Sequence, residues 1–123
     1  MYVCSYELKM TDFCMNLDFN EVGVLTDSPV GIHFLEYLQE FINTRRKEMP
    51  KDSYTTRLFE GGINKIAQKV GEEAVELVIE AKDQNDELFL NEAADLMYHF
   101  IVLLTARGYS LKDVANVLKA RHK

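Results

Sequence analysis

Lys69-Val70-Gly71-Glu72-Glu73-Ala74-Val75-Glu76, followed further along by Asn91-Glu92-Ala93-Ala94-Asp95-Leu96-Met97-Tyr98-His99, is the stretch that decides how this chain folds. On a helix, residues three or four apart share a face. Glu73 and Glu76 therefore form one acidic pair, and Glu92 and Asp95 form another. Between them Gln84-Asn85-Asp86 offers a turn, so the second helix can return antiparallel to the first and bring the pairs opposite each other. Four carboxylates in one small volume raise each other's pKa, and burial adds to the effect. A hard divalent cation relieves that crowding. Oxygen-only ligands, with no cysteine or paired histidine, point to Mg²⁺ or Mn²⁺.

Asp95 is the sharpest clue. It lies within Ala93-Ala94-Asp95-Leu96-Met97-Tyr98-His99-Phe100-Ile101-Val102-Leu103-Leu104, which is apolar almost all the way round a helix. Such a helix is normally buried, and a buried carboxylate must be paired, protonated or bound to metal. Acidic helix faces are usually just solvated. Asp95 departs from that pattern because its surroundings are apolar and its partner three residues back is another acid.

Working outward, Ile63, Ile66, Ala67, Val70, Ala74, Leu77, Val78 and Ala81 predict the apolar stripe of a helix over about 63–82, with Lys69, Glu73, Glu76 and Glu80 beside it. Gly71 falls mid-helix, where glycine costs about 1 kcal/mol relative to alanine. The close approach of another backbone or of a ligand is the expected reason. The next helix runs over about 86–107 and stops at Gly108, a common C′ residue. Ser110-Leu111-Lys112-Asp113 resembles a capping box for a last helix carrying Leu111, Val114, Ala115 and Leu118.

Upstream, Ser28-Pro29 signals a helix start, and Phe34, Leu35, Leu38, Phe41 and Ile42 carry that helix to about Arg46. Its closing Arg45-Arg46-Lys47 complements the helix dipole. Between 51 and 62, Ser53-Tyr54-Thr55-Thr56 caps a short turn bearing Leu58 and Phe59 that ends at Gly61-Gly62. The hydroxyls there, with Lys51 and Arg57, suit either a capped loop or a phosphate-bearing ligand. The first twenty residues alternate with period two on either side of Thr11-Asp12 and read as a β-hairpin. The domain plan is thus a hairpin extension with linker over 1–27 and a helical domain over 28–123. No internal repeat or low-complexity tract is evident.

At 123 residues the chain suits one domain with a real core. Hydrophobic content of 47% and charged content of 28% describe a globular protein, and a net charge of −6 argues against nucleic acid as the main partner. The longest apolar run, interrupted by Asp95 and His99, reads as too short to span a membrane. No signal peptide is evident. Cys4 and Cys14 make no disulfide framework, so a reducing cytoplasm is the expected location.

Two chemistries use carboxylate clusters on paired helices. A redox di-iron bundle needs a Glu-x-x-His motif on two helices, and this sequence has none. Mg²⁺-dependent hydrolysis of a phosphoanhydride needs only the acids, with one further carboxylate to position or deprotonate water. Glu72, one residue off the ligand stripe, either does this or faces solvent. His99 either supports the site or is a satisfied core residue, the commoner case, and Tyr98 reads as core.

Ser53-Tyr54-Thr55, Leu58-Phe59, Lys65, Lys69-Val70-Gly71-Glu72-Glu73, Glu76 and Glu92-Ala93-Ala94-Asp95 with Tyr98-His99 together resemble the phosphoribosyl-ATP pyrophosphohydrolase family of histidine biosynthesis. That family belongs to the all-α nucleoside triphosphate pyrophosphohydrolase superfamily. The resemblance implies a mainly α antiparallel bundle, here with the N-terminal hairpin added. It implies removal of pyrophosphate from phosphoribosyl-ATP with Mg²⁺, a small-molecule nucleotide as substrate, and a homodimer. By motif, Glu73, Glu76, Glu92 and Asp95 are implied as metal ligands and Glu72 as an accessory acid. Arg45, Lys47, Lys51, Arg57, Lys65, Lys69 and His99 are the candidate substrate contacts.

Family members are often fused on the N-terminal side to a cyclohydrolase domain that uses several cysteines. Cys4 and Cys14, with no Cys-His pair, lead us to expect no such activity here. Two other readings compete: a house-cleaning pyrophosphohydrolase for ordinary or damaged nucleotides, and a non-catalytic dimerisation or binding module.

Overall fold

The computed structural model describes residues 31–122. The expected hairpin, both cysteines and the Ser28-Pro29 helix start lie outside the described residues. The described part is helical: a 3-10 turn (Gly31–His33) leads into α1 (Phe34–Glu48), followed by α2 (Tyr54–Ala81), α3 (Asp86–Ala106) and α4 (Leu111–Arg121). The chain divides into two compact units, one reaching Glu60 and the other starting at Gly61.

In the first unit α1 buries Leu38, Ile42 and Arg45, the one-sided stripe expected of an amphipathic helix. The Arg45 guanidinium lies 4.6 Å from the Phe41 ring centroid, so this arginine is packed and not merely a dipole complement. Met49 ends α1 in the left-handed region (φ 48) and returns its N–H to the Arg45 carbonyl at 2.8 Å. Ser53 then starts α2: its Oγ accepts from Thr56 N at 3.2 Å, as an N-cap hydroxyl does. The expected short turn over 53–62 is a helical segment that breaks at Gly62 (φ 84, ψ 176), a backbone state open almost only to glycine.

In the second unit Asn85 caps α3, its side chain accepting from Leu88 N at 3.0 Å. Glu76 and Glu92 lie at comparable distances from this turn, so α2 and α3 form the antiparallel hairpin that sets acid against acid. A Schellman motif closes α3: Gly108 (φ 82) donates to the Thr105 carbonyl at 3.0 Å and Tyr109 to that of Leu104 at 2.8 Å. The Ser110/Asp113 capping box is present at the start of α4.

Three expectations need correction. The apolar stripe assigned to the second half of α2 is not its buried face. Only Ile66 is buried there, Ile63 and Val78 are exposed, and Glu73 and Glu76 are inside instead. The α2–α3 contact is organised by the carboxylates, which leaves the opposite, apolar side of α2 uncovered. Nor does another part of the described chain, beyond the neighbouring residues and the adjacent backbone of the helix itself, approach the Cβ position of Gly71 within 4 Å. The expected close approach does not come from this chain's own described residues. Length, moreover, is not what argues against α3 as a membrane span. Its 21 residues are long and apolar enough by length and composition. The buried Glu92, Asp95 and His99 mark it as a core helix.

Candidate metal centre

The second unit buries four carboxylates: Glu73 and Glu76 from α2, Glu92 and Asp95 from α3. Glu73, Glu92 and Asp95 each offer an oxygen within 4.8 Å of the others', close enough for one ion to touch all three. Glu76 engages Glu92 through a carboxyl–carboxyl hydrogen bond. Burial is the largest cause of a Glu92 pKa pushed up to about 8. The hydrogen bond shared with Glu76 comes next, followed by the charges of Glu76, Asp95 and Glu73. In the metal-free protein at neutral pH the cluster thus holds a proton where an ionised acid would be intolerable. Glu92 Oε2 is buried and has no hydrogen-bond partner among the described residues. Three converging carboxylate donors, one of them carrying an orphaned buried oxygen, with Glu76 held against Glu92 beside them, fit a hard divalent cation better than a soft one.

The other acid behaves oppositely. Glu72 is half-exposed at the edge of the cluster. Partial burial raises its pKa, but hydrogen bonds from Lys69 and Gln68 and the charges of Lys69 and Lys65 outweigh that and hold it below the usual range. Lys69 Nζ lies 3.0 Å from Glu72 Oε2 and 3.8 Å from Glu73 Oε1. Gln68 Nε2 donates to Glu72 Oε1 at 3.1 Å.

His99 is buried one turn beyond Asp95, and its Nδ1–H donates to the Asp95 carbonyl oxygen at 2.7 Å. Its ring stands edge-on to that of Tyr98. The contact fixes the α3 backbone at Asp95, which is the core role favoured for this histidine. Of the basic candidates, Lys69 and Lys65 lie beside the acids. Arg45, Lys47, Lys51 and Arg57 belong to the first unit, where Arg45 is buried and Arg57 sits 5.9 Å from the Tyr54 ring centroid. Gln68 escaped the sequence reading. Its only signal there is its position one turn before Glu72.

Comparison with known proteins puts this geometry in context. Residues 35–122 match the family model described as phosphoribosyl-ATP pyrophosphohydrolase. The chain is 60% identical over 100 residues to a histidine biosynthesis bifunctional protein HisIE of Bacteroides thetaiotaomicron, an alignment covering 81% of this chain and 48% of that protein. It is 53% identical over 89 residues to a phosphoribosyl-ATP pyrophosphatase of Pyrobaculum arsenaticum, covering 72% of this chain and 95% of the relative. The Pyrobaculum calidifontis protein of the same name is 47% identical over 94 residues, covering 76% of this chain and all of the relative. The chain thus spans about half the length of the bifunctional relatives and essentially the whole of the Pyrobaculum ones.

Proposed function

Because the chain belongs to the phosphoribosyl-ATP pyrophosphohydrolase family, we propose that it hydrolyses phosphoribosyl-ATP to phosphoribosyl-AMP and pyrophosphate in histidine biosynthesis. Water attacks at the α-phosphorus, the α–β phosphoanhydride bond breaks, and pyrophosphate leaves. The observation that carries this reading is the convergence of the buried Glu73, Glu92 and Asp95, with Glu76 hydrogen-bonded to Glu92, inside the family-matching segment.

Glu73, Glu76, Glu92 and Asp95 are the residues that would hold Mg²⁺, with Mn²⁺ as the alternative. The cation supplies charge neutralisation for the phosphates and a lowered pKa for the attacking water. To hold the cation Glu92 would have to be ionised, its proton passing to solvent, because a ligating carboxylate cannot keep it. Glu72, held ionised by Lys69 and Gln68, accepts a hydrogen bond from the attacking water. With its pKa depressed it is a weak proton acceptor, so its work is to orient. Lys65, exposed beside the acids, is the first candidate to meet the substrate's phosphates.

The same reading includes a cytoplasmic homodimer. On α2, Gly71, Val75, Val78 and Ile79 fall on one face, and the three apolar side chains are all about half exposed or more. A second copy packing there covers this stripe and uses the backbone access that Gly71 leaves open.

The test is pyrophosphate release from phosphoribosyl-ATP, dCTP, dUTP and ATP, with and without Mg²⁺. Mg²⁺-dependent turnover of phosphoribosyl-ATP well above the others is expected. Preference for an ordinary nucleotide favours the house-cleaning alternative. Absence of both turnover and Mg²⁺ binding favours a non-catalytic module.

A further inference from the structure

We propose that Lys69, assisted by Gln68, is a positioning residue that clamps Glu72 to the metal-binding acid Glu73, and is not a contact for substrate phosphate. The inference rests on the reading of the site given under Proposed function. A lysine poised for phosphate presents its ammonium to open space. The Lys69 side chain is only 13% exposed, and its Nζ is engaged by two carboxylates, at 3.0 Å from Glu72 Oε2 and 3.8 Å from Glu73 Oε1. Gln68 Nε2 takes the remaining oxygen of Glu72 at 3.1 Å. Both oxygens of the accessory acid are thereby tied to the preceding turn of its own helix, while Glu73 is fully buried.

One ammonium therefore sets the separation between the group that orients water and a group that holds the cation. Catalysis depends on that separation: a misplacement of about 1 Å can cost about a hundredfold in rate. A solvated surface pair of the same spacing controls nothing comparable, because water replaces either partner at little cost.

The test is a double-mutant cycle on the full chain, with Lys69→Met, Glu72→Gln and the double variant assayed on phosphoribosyl-ATP at saturating Mg²⁺. Lys69→Met is expected to lower kcat by about ten- to a hundredfold with KM changed less than about threefold. In the Glu72→Gln background the same change is expected to add little, because the lysine acts through that acid. Lys69→Arg restores part of kcat, and Gln68→Ala, an exposed change, gives a smaller loss of the same kind. In the metal-free protein, NMR of the Lys69 ammonium should show a slowly exchanging signal that weakens in Glu72→Gln. This readout is independent of turnover. A rise in KM with kcat preserved assigns Lys69 to substrate phosphate and overturns the proposal, as do additive losses in the cycle or an ammonium signal indifferent to Glu72. A wild-type protein inactive on phosphoribosyl-ATP overturns the parent reading and this one with it.

Discussion

Raising or lowering pH during a Mg²⁺ titration perturbs the cluster at its most informative point, the proton on Glu92. With the Glu92 pKa at about 8, roughly nine in ten molecules carry that proton at pH 7 and about one in ten at pH 9. A ligating carboxylate must be ionised, so cation binding expels the proton. Because Glu92 and Glu76 share a hydrogen bond, the proton belongs to the pair. Binding at pH 7 should therefore release about 0.9 proton per site, and at pH 9 about 0.1. The apparent Kd should weaken about tenfold for each pH unit below about 7, and level off above about 9. Calorimetric titration of metal-free protein in two buffers of different ionisation enthalpy reads the proton count directly, and the series from pH 6 to 9 reads the slope. Binding at pH 7 with no proton release, or an affinity flat between pH 6 and 8, would refute the claim that burial and crowding hold a proton in this cluster.

Glu76→Gln should abolish turnover while circular dichroism and the melting transition stay close to wild type, since the change removes charge and keeps the shape. For stability the sign follows from Glu92: its folded pKa lies above the ordinary 4.5. The folded state therefore binds the extra proton, and metal-free protein should lose stability as pH rises from about 4.5 to about 8. Glu92→Gln should flatten that decline in urea titrations run with a chelator, leaving the variant more stable than wild type at pH 8. Val78→Arg places a charge on the exposed apolar face of α2. Sedimentation should show wild type as the proposed homodimer and the variant as a monomer with helical content retained; a monomeric wild type would refute the dimer proposal.

Much of the local structure was legible because it is written in short-range chemistry. The Ser110/Asp113 box, Asn85 before α3 and the glycine stop at Gly108 act within one turn, where residue type and spacing suffice. The break at Gly62 was legible for the same reason, whereas the helix leading to it from Tyr54 carries no comparable local signal. The acids of the site were legible through their three-residue spacing and through Asp95 standing in an apolar run. Gln68 was not, since a surface glutamine carries no signal until its partner's side chain is placed. Nor was the direction of Lys69, because a flexible stem four carbons long reaches either a phosphate or an acid from the same position.

By itself the sequence determined where α3 and α4 begin and end, that α2 and α3 pair through a short turn, and which acids face that pairing. Those outcomes depend on helical periodicity and on capping groups a few residues away. Only the tertiary structure decided that the acidic side of α2, and not its apolar stripe, turns inward. Only it set Glu92 against Glu76, where burial and the neighbouring acids push its pKa up, while Lys69 and Gln68 hold that of Glu72 down. The physical reason is that burial and charge energies depend on what the fold brings within a few ångströms, and two carboxylates of one residue type acquire opposite behaviour from neighbours that sequence order alone does not choose.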